Sequence, residues 1–126
     1  MVDSFHHLSL AVSDIPRAVS FYQEVLGIDP VGPDDSDAEI ETATYYWMTV
    51  SHDQWLMLAE RPDATPTEPT ATDDPHVAFR GDEETITAVE RRLDDRDMEY
   101  RSVGTGVYFH DPDTNYIEVT DFAGPS

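Results

Sequence analysis

His7, His76 and Glu118 are the residues of this chain whose types and placement fit metal chemistry. Each stands in an alternating run, on the side opposite its apolar members. His7 goes with Ser9 and Ala11, against Leu8, Leu10 and Val12. His76 goes with Ala78 and Arg80, against Val77 and Phe79, and Glu118 with Tyr116 and Thr120, against Ile117 and Val119. Successive side chains of a strand point to opposite faces, so all three can look into one concavity while the apolar faces meet a core. Two imidazoles and one carboxylate make a facial set for Mn²⁺, Fe²⁺ or Zn²⁺, with positions left for substrate. A plainer account stays open: a His that starts a strand is an ordinary polar residue, and one Glu on an outer face is commonplace.

The elements that must position these residues follow from periodicity and punctuation. Residues 5–12 read as a strand. Asp14 is a helix N-cap with Pro16 in the first turn, where a missing N–H costs little. Ile15, Ala18, Val19, Tyr22, Val25 and Leu26 keep helical spacing, and Gly27 is a C-terminal stop. Residues 33–38 form a polar break, and strands are expected around Glu41–Val50 and Gln54–Glu60, joined at Ser51-His52-Asp53. Arg61–Pro75 holds four of the nine prolines and reads as an extended connector. The pattern then restarts with a strand headed by His76. Asp82 caps a helix whose stripe is Ile86, Val89 and Leu93, and strands follow near Met98–Val103, Gly106–His110 and Tyr116–Thr120. Asp111-Pro112-Asp113-Thr114-Asn115 is the turn between the last two. The expected fold class is α+β, with paired βαβββ modules forming an incomplete curved sheet around a metal-binding pocket. The expected organisation is a single domain over 1–126, with module one at 1–61, a proline-rich connector at 62–75 and module two at 76–126.

Composition bounds the function. Asp and Glu number 27 against 7 basic residues, all Arg, for a net charge of -20. Such a charge repels phosphate backbones, so no nucleic-acid partner is expected. The acids are dispersed among periodic apolar residues, which suits a folded protein with the acidic surface of salt-accumulating halophiles. There is no cysteine, which removes disulfides and thiolate metal sites. The N-terminus is not basic and no apolar run nears membrane-spanning length, so neither signal peptide nor membrane anchor is expected, and the cytoplasm is the expected place.

The run His7-Leu8-Ser9-Leu10-Ala11-Val12-Ser13-Asp14-Ile15, with Phe21-Tyr22 and Leu26-Gly27, opens a pattern that His76-Val77-Ala78-Phe79 continues. Tyr108-Phe109-His110-Asp111-Pro112-Asp113 and Ile117-Glu118-Val119 complete it. The whole resembles the vicinal oxygen chelate superfamily of glyoxalase I, fosfomycin-resistance thiol transferases, extradiol dioxygenases and bleomycin-binding proteins. The resemblance implies a divalent metal (Mn, Fe, Zn or Ni) on His7, His76 and Glu118. The fourth ligand of glyoxalase I falls here on Met57, a thioether ill suited to hard ions, which points away from that enzyme. The resemblance is nearest to the fosfomycin-resistance transferases, and implies a metal acting as Lewis acid on a substrate oxygen while a low-molecular-weight thiol attacks carbon. Ser9 and Tyr108 are then the expected catalytic donors, and Trp55, Met57, Arg101 and Ser102 the expected substrate contacts. The chain departs from those transferases in having no lysine, so a related anionic or vicinal-oxygen small molecule is expected in place of fosfomycin. The resemblance also implies a homodimer. Two other readings remain: an Fe(II) extradiol-type dioxygenase using the same triad, and a metal-free binding protein of the bleomycin-resistance kind.

The other candidates read more simply. His52 is expected as a solvated turn residue, His6 as edge packing on the apolar side or a support for the site, and His110 in a structural role at a strand end. Tyr45, Tyr46 and Trp47 fit a pocket wall and core packing equally.

The surplus of negative charge generates a prediction. Screening relieves self-repulsion, so the thermal midpoint should rise from dilute buffer to molar KCl; equal midpoints by circular dichroism would contradict it.

Overall fold

The computed structural model describes residues 1–61 and 75–125. The chain divides into two compact units, Met1–Thr65 and Pro66–Ser126. Each holds one helix and one four-stranded mixed sheet, in the order βαβββ, so the fold is α+β with a repeated module. The connector expected at 62–75 lies almost wholly outside the described residues. No helix among the described residues is long and apolar enough to cross a membrane.

The first unit runs β1 (His7–Val12), α1 (Ile15–Leu26), β2 (Asp29–Pro33), β3 (Tyr45–Ser51) and β4 (Gln54–Glu60), with sheet order β1-β4-β3-β2. Helix α1 starts where the sequence marks it. The Asp14 carboxylate accepts from the Arg17 N–H at 2.9 Å, and Gly27 takes a left-handed φ of 70° at the other end. Its Ile15, Ala18, Val19, Tyr22 and Val25 are buried, together with Val12, Met48, Leu56 and Leu58 of the sheet. Leu8 is 39% exposed while Val12 is 0% exposed, so the apolar side of β1 is sealed only toward its C-terminal end. Strand β2 is an addition to the sequence reading. Pro30, Gly32 and Pro33 disguise it, and it is tolerated because it lies at the sheet edge with a register shift between Pro30 and Gly32.

The second unit repeats the plan with β5 (Val77–Arg80), α2 (Glu83–Asp95), β6 (Tyr100–Val103), β7 (Gly106–His110) and β8 (Tyr116–Thr120), in the order β5-β8-β7-β6. Asp82 caps α2 by accepting from the Thr85 N–H at 2.8 Å. Val89 and Leu93 are sealed against the sheet with Val107, Phe109, Ile117 and Val119, whereas Ile86 is only half-buried. In both units the first and last strands pair in parallel, β1 with β4 and β5 with β8. A helical crossover follows each first strand, as a parallel pair requires. The closed face of each sheet is thus covered by its helix, and the other face is left for polar and aromatic side chains.

Gly106 marks a tight point of this arrangement. A Cβ there would come within 2.2 Å of the Val119 carbonyl oxygen on the paired strand. Gly106→Ala should therefore destabilise the protein by about 1–3 kcal/mol, as overpacking does. Denaturant unfolding checks it, and an unchanged midpoint would contradict the close approach.

Candidate functional site

In the first unit the open face gathers most of the residues singled out there by sequence. Cross-strand register sets His7 beside Trp55, Ser9 beside Met57 and Ala11 beside Ala59. On the far side of β4, Trp47 lies opposite Met57 and Thr49 opposite Trp55. Neighbours in register share a face, so His7, Ser9, Trp47, Trp55 and Met57 line one surface. The Trp47 indole N–H donates to the Asp34 carboxylate at 2.9 Å, and the His7 ring meets Trp47 edge-on at 5.0 Å. His6 leaves the apolar side and agrees with the other expectation, a support beside His7. It precedes β1, so strand alternation does not bind it: its Nδ1 lies 2.9 Å from that of His7, and its ring lies 4.8 Å from that of Trp55. Tyr45 is on the open face, and Tyr46 is buried on the other. His52 sits exposed in the turn before Asp53, its Nε2 3.1 Å from that carboxylate.

The open face of the second unit is denser. Val77 pairs with Ile117 and Ala78 with Glu118, which sets His76, at the mouth of β5, beside Tyr116. Tyr108 lies opposite Glu118, and His110 opposite Tyr116. His76 Nε2 and Glu118 Oε1 are 3.0 Å apart, with side chains only 22% and 12% exposed. The His76 ring meets Tyr108 at 5.3 Å and Tyr116 at 5.7 Å. His110 stacks on Tyr116 at 4.4 Å with ring planes 9° apart. Burial raises the Tyr108 hydroxyl above its ordinary pKa, and the charge of Glu118 and a hydrogen bond to it add to the effect. Tyr108 is therefore a protonated donor at neutral pH. Burial lowers His110, against an opposing contribution from Asp111, so its ring favours the neutral form.

Arg101 and Ser102, both expected as substrate contacts, are consecutive residues of β6, and consecutive strand residues face opposite ways. Arg101 pairs with Tyr108 and belongs to the open face; Ser102 pairs with Val107 and belongs to the helix side. There its hydroxyl bonds the Glu90 carboxylate of α2. Ser102 is thus turned away from the surface that carries Glu118. A cleft of about 440 Å³ opens on this unit, bounded by Met98, Tyr100, Arg101, Tyr108, His110 and Tyr116. Tyr116 was legible as a neighbour of Glu118 two residues on, but only the structure reveals its stack with His110.

Asp111, 3% exposed, fixes the turn between β7 and β8. One carboxylate oxygen accepts from the N–H groups of Asp113 at 2.9 Å and Asn115 at 2.8 Å, and the other from the Asn115 amide at 2.9 Å. It is a structural carboxylate that aligns the β7–β8 pair.

The two registers are equivalent residue by residue. His7 corresponds to His76, Trp55 to Tyr116, Trp47 to Tyr108, Ser9 to Ala78 and Met57 to Glu118. The repeat therefore holds a thioether in the first unit where it holds a carboxylate in the second. Among the described residues no group of three His, Cys, Asp or Glu side chains is drawn together at metal-binding distance. The His76 and Glu118 pair offers one nitrogen and one oxygen 3.0 Å apart. That is the spacing of two adjacent ligands at right angles with bonds of about 2.1 Å, so the pair fits a divalent ion.

The family model for the Glyoxalase/Bleomycin resistance protein/Dioxygenase superfamily matches residues 4–119. The glutathione transferase FosA of Serratia marcescens is 30% identical over 123 residues, which span 94% of this chain and 81% of the relative. The metallothiol transferase FosB of Shouchella clausii (strain KSM-K16) is 28% identical over 127 residues, spanning 94% and 80%. Among solved structures, a glutamate-to-glutamine mutant of the fosfomycin resistance protein FosX from Listeria monocytogenes is similar with a TM-score of 0.73 and 19% identity. The match covers 98% of this chain and 95% of FosX, which was crystallised with Mn(II) and 1S,2S-dihydroxypropylphosphonic acid. A glyoxalase/dioxygenase from Nostoc punctiforme matches with a TM-score of 0.71 and 23% identity over 94% of this chain and 97% of its own. At these identities the solved structures speak for the fold.

The state of His110 leads to a pH prediction. Its folded pKa lies below 6.5, its ordinary value, so just below pH 6.5 the unfolded chain binds more protons than the folded one. Stability contributed by the neutral ring is complete above pH 6.5 and is lost as pH falls toward the folded pKa. His110→Phe keeps a flat ring on Tyr116 and removes the titration. The variant should lose less unfolding free energy than the parent as pH drops below 6.5, and parallel pH profiles would contradict it.

Proposed function

Since the chain belongs to the glyoxalase/bleomycin resistance protein/dioxygenase superfamily, we propose that it is a divalent-metal-dependent enzyme acting on a small molecule. Within that family the reading is nearest to the thiol transferases of fosfomycin resistance. The observation that carries it is the 3.0 Å approach of His76 Nε2 to Glu118 Oε1 on a half-sealed face, with the Tyr108 hydroxyl beside them. In this reading His76 and Glu118 hold the ion and His7 is the third ligand. Met57 adds no hard donor in the first unit, which leaves room for substrate and disfavours glyoxalase I chemistry. The names of the metallothiol transferase FosB and of the Mn(II)-bound FosX support a divalent ion in relatives of this fold. When bound, such an ion supplies Lewis acidity to a substrate oxygen.

The chain's own residues do the rest. With no ion bound, Glu118 accepts from the Tyr108 hydroxyl and, when His76 carries its proton on Nε2, from that N–H as well; a bound ion would take the Nε2 lone pair in place of the proton. Tyr108, kept protonated, would turn its single O–H from Glu118 to a substrate oxygen as negative charge develops there. Ser9, exposed on the open face of the first unit, is a second hydroxyl donor in this reading. Trp55, Met57 and Arg101 are its substrate contacts, and a low-molecular-weight thiol is the co-substrate. The same reading makes the protein a homodimer and a salt-adapted cytoplasmic enzyme.

Metal titration in molar KCl tests the site. The parent should bind one equivalent of Mn²⁺, and Glu118→Gln should weaken that binding at least about tenfold, since a charged oxygen ligand is replaced by a neutral amide. Far-ultraviolet circular dichroism should stay the same, because Glu118 is not part of the apolar core. Undiminished affinity in the variant would overturn the site. No metal binding in either protein would turn the reading toward a metal-free binding protein.

A further inference from the structure

We propose that His6 is a metal ligand: the Nδ1 atoms of His6 and His7 take adjacent positions on one borderline divalent transition ion such as Ni²⁺ or Zn²⁺. The inference rests on the reading above in taking His7 as a ligand, and it adds a second imidazole beside it.

The approach is made nitrogen to nitrogen. The two Nδ1 atoms are 2.9 Å apart, while the rings stand edge to face, 84° from parallel with centroids 5.1 Å apart. Two donors on bonds of about 2.1 Å subtend close to a right angle at that spacing, as adjacent ligands of one ion do. With no ion bound, the contact needs one proton, carried by either nitrogen. A divalent ion takes the place of that proton and accepts both lone pairs.

The fold holds the two rings there. Consecutive residues of a strand point to opposite faces, but β1 begins at His7, so His6 stands outside the alternation. Its carbonyl accepts from the Trp55 N–H at 3.2 Å, which ties its backbone to β4. Its ring lies 4.8 Å from that of Trp55 and 6.3 Å from that of Trp47, and the His7 ring meets Trp47 edge-on at 5.0 Å. Two indoles thus brace two imidazoles. Donors braced in this way lose less freedom when an ion binds. A hollow of about 190 Å³ lined by His6, Val31, Trp47 and Trp55 has room for a water or a substrate group to complete the ion's shell.

Donor type selects the ion. The net charge of -20 draws any divalent cation toward the surface, so charge alone does not discriminate. Imidazole nitrogens do: they favour Ni²⁺ and Zn²⁺ over Mn²⁺, which prefers oxygen. A second imidazole beside His7 therefore shifts the site toward the later ions of the row.

Titration of the full chain with Ni²⁺ and with Mn²⁺ in molar KCl tests the proposal, followed by calorimetry and by tryptophan emission. Trp47 and Trp55 are the two tryptophans of the chain, and both lie against the imidazole pair, so Ni²⁺ held there should quench the emission. His6→Phe keeps a ring against Trp55 and removes the donor. It should weaken Ni²⁺ binding at least about tenfold and Mn²⁺ binding by about threefold or less. His52→Gln, in the exposed turn, should leave both within about twofold. In nitrogen NMR of the imidazoles, Zn²⁺ should move the His6 Nδ1 signal, which a ring that only packs on Trp55 would not show. Tryptophan emission indifferent to Ni²⁺, Ni²⁺ affinity unchanged in His6→Phe, equal losses for both ions, or an unmoved His6 Nδ1 signal would overturn the proposal. The two readings fail separately. Ni²⁺ binding lost in Glu118→Gln and kept in His6→Phe removes the His6 ligand and retains the metal enzyme. Ni²⁺ quenching lost in His6→Phe and kept in Glu118→Gln retains the imidazole pair and removes the ion from its place in that reading. Losses in both variants uphold both.

Discussion

A helix seals one face of each four-stranded sheet, and the two-residue alternation of the strands then decides where chemistry can occur. Val12, Leu56 and Leu58 in the first unit, and Val107, Phe109, Ile117 and Val119 in the second, are committed to the helix side. Their immediate neighbours in sequence have no choice but the other face. Register then adds what alternation cannot: it brings residues far apart in the chain side by side. Ala78 and Glu118 are adjacent because β5 and β8 pair in parallel, and Tyr108 joins them because β7 pairs with β8 on the other side. A one-residue slip in any of these pairings would exchange Glu118 for Ile117 or Val119 and place a carboxylate in the core. The apolar seal therefore fixes the polar face as firmly as any contact on that face does.

Much of this was legible in the chain because the signals were local. Asp14, Pro16 and Gly27 bracket α1, Asp82 starts α2, and alternation alone identifies Gln54–Glu60, Gly106–His110 and Tyr116–Thr120. The places where sequence reasoning fell short each have a physical cause. Strand β2 hid behind two prolines and a glycine, which an edge position with a bulge tolerates and a central strand would not. Leu8 looked like core from its parity, yet it is 39% exposed, and on β1 full burial is reached only at Val12. The resemblance implied Arg101 and Ser102 as substrate contacts together, and adjacency in a strand puts them on opposite faces. His6 lay outside the strand, beyond the reach of alternation, and its ring is held by Trp55 instead.

The site itself was legible in outline and not in detail. Parity put His76 and Glu118 on polar faces, but their 3.0 Å approach depends on strand order, which no single stretch of sequence encodes. The stack of His110 on Tyr116 depends on it as well, and so does the burial that favours the neutral imidazole. A residue that read as structural by position thus forms part of the wall beside the most polar pair of the unit.

The two units show how one framework can be divided between tasks. Equivalent positions carry Ser9 and Ala78, Met57 and Glu118, Trp47 and Tyr108, Trp55 and Tyr116. The first unit keeps a hydroxyl and exchanges phenols for indoles, and it gives up the carboxylate for a soft, neutral thioether. The second gives up the hydroxyl and gains the carboxylate with two phenols around it. A hard cation finds a matched oxygen donor at this position only in the second unit. The electrostatics point the same way, because Glu118 adds to burial in raising the proton affinity of the neighbouring Tyr108 and lies within hydrogen-bond distance of His76. With both strand frameworks intact, exchanges at these four register positions, the Met57 and Glu118 pair foremost, give the second face a carboxylate where the first has an apolar thioether.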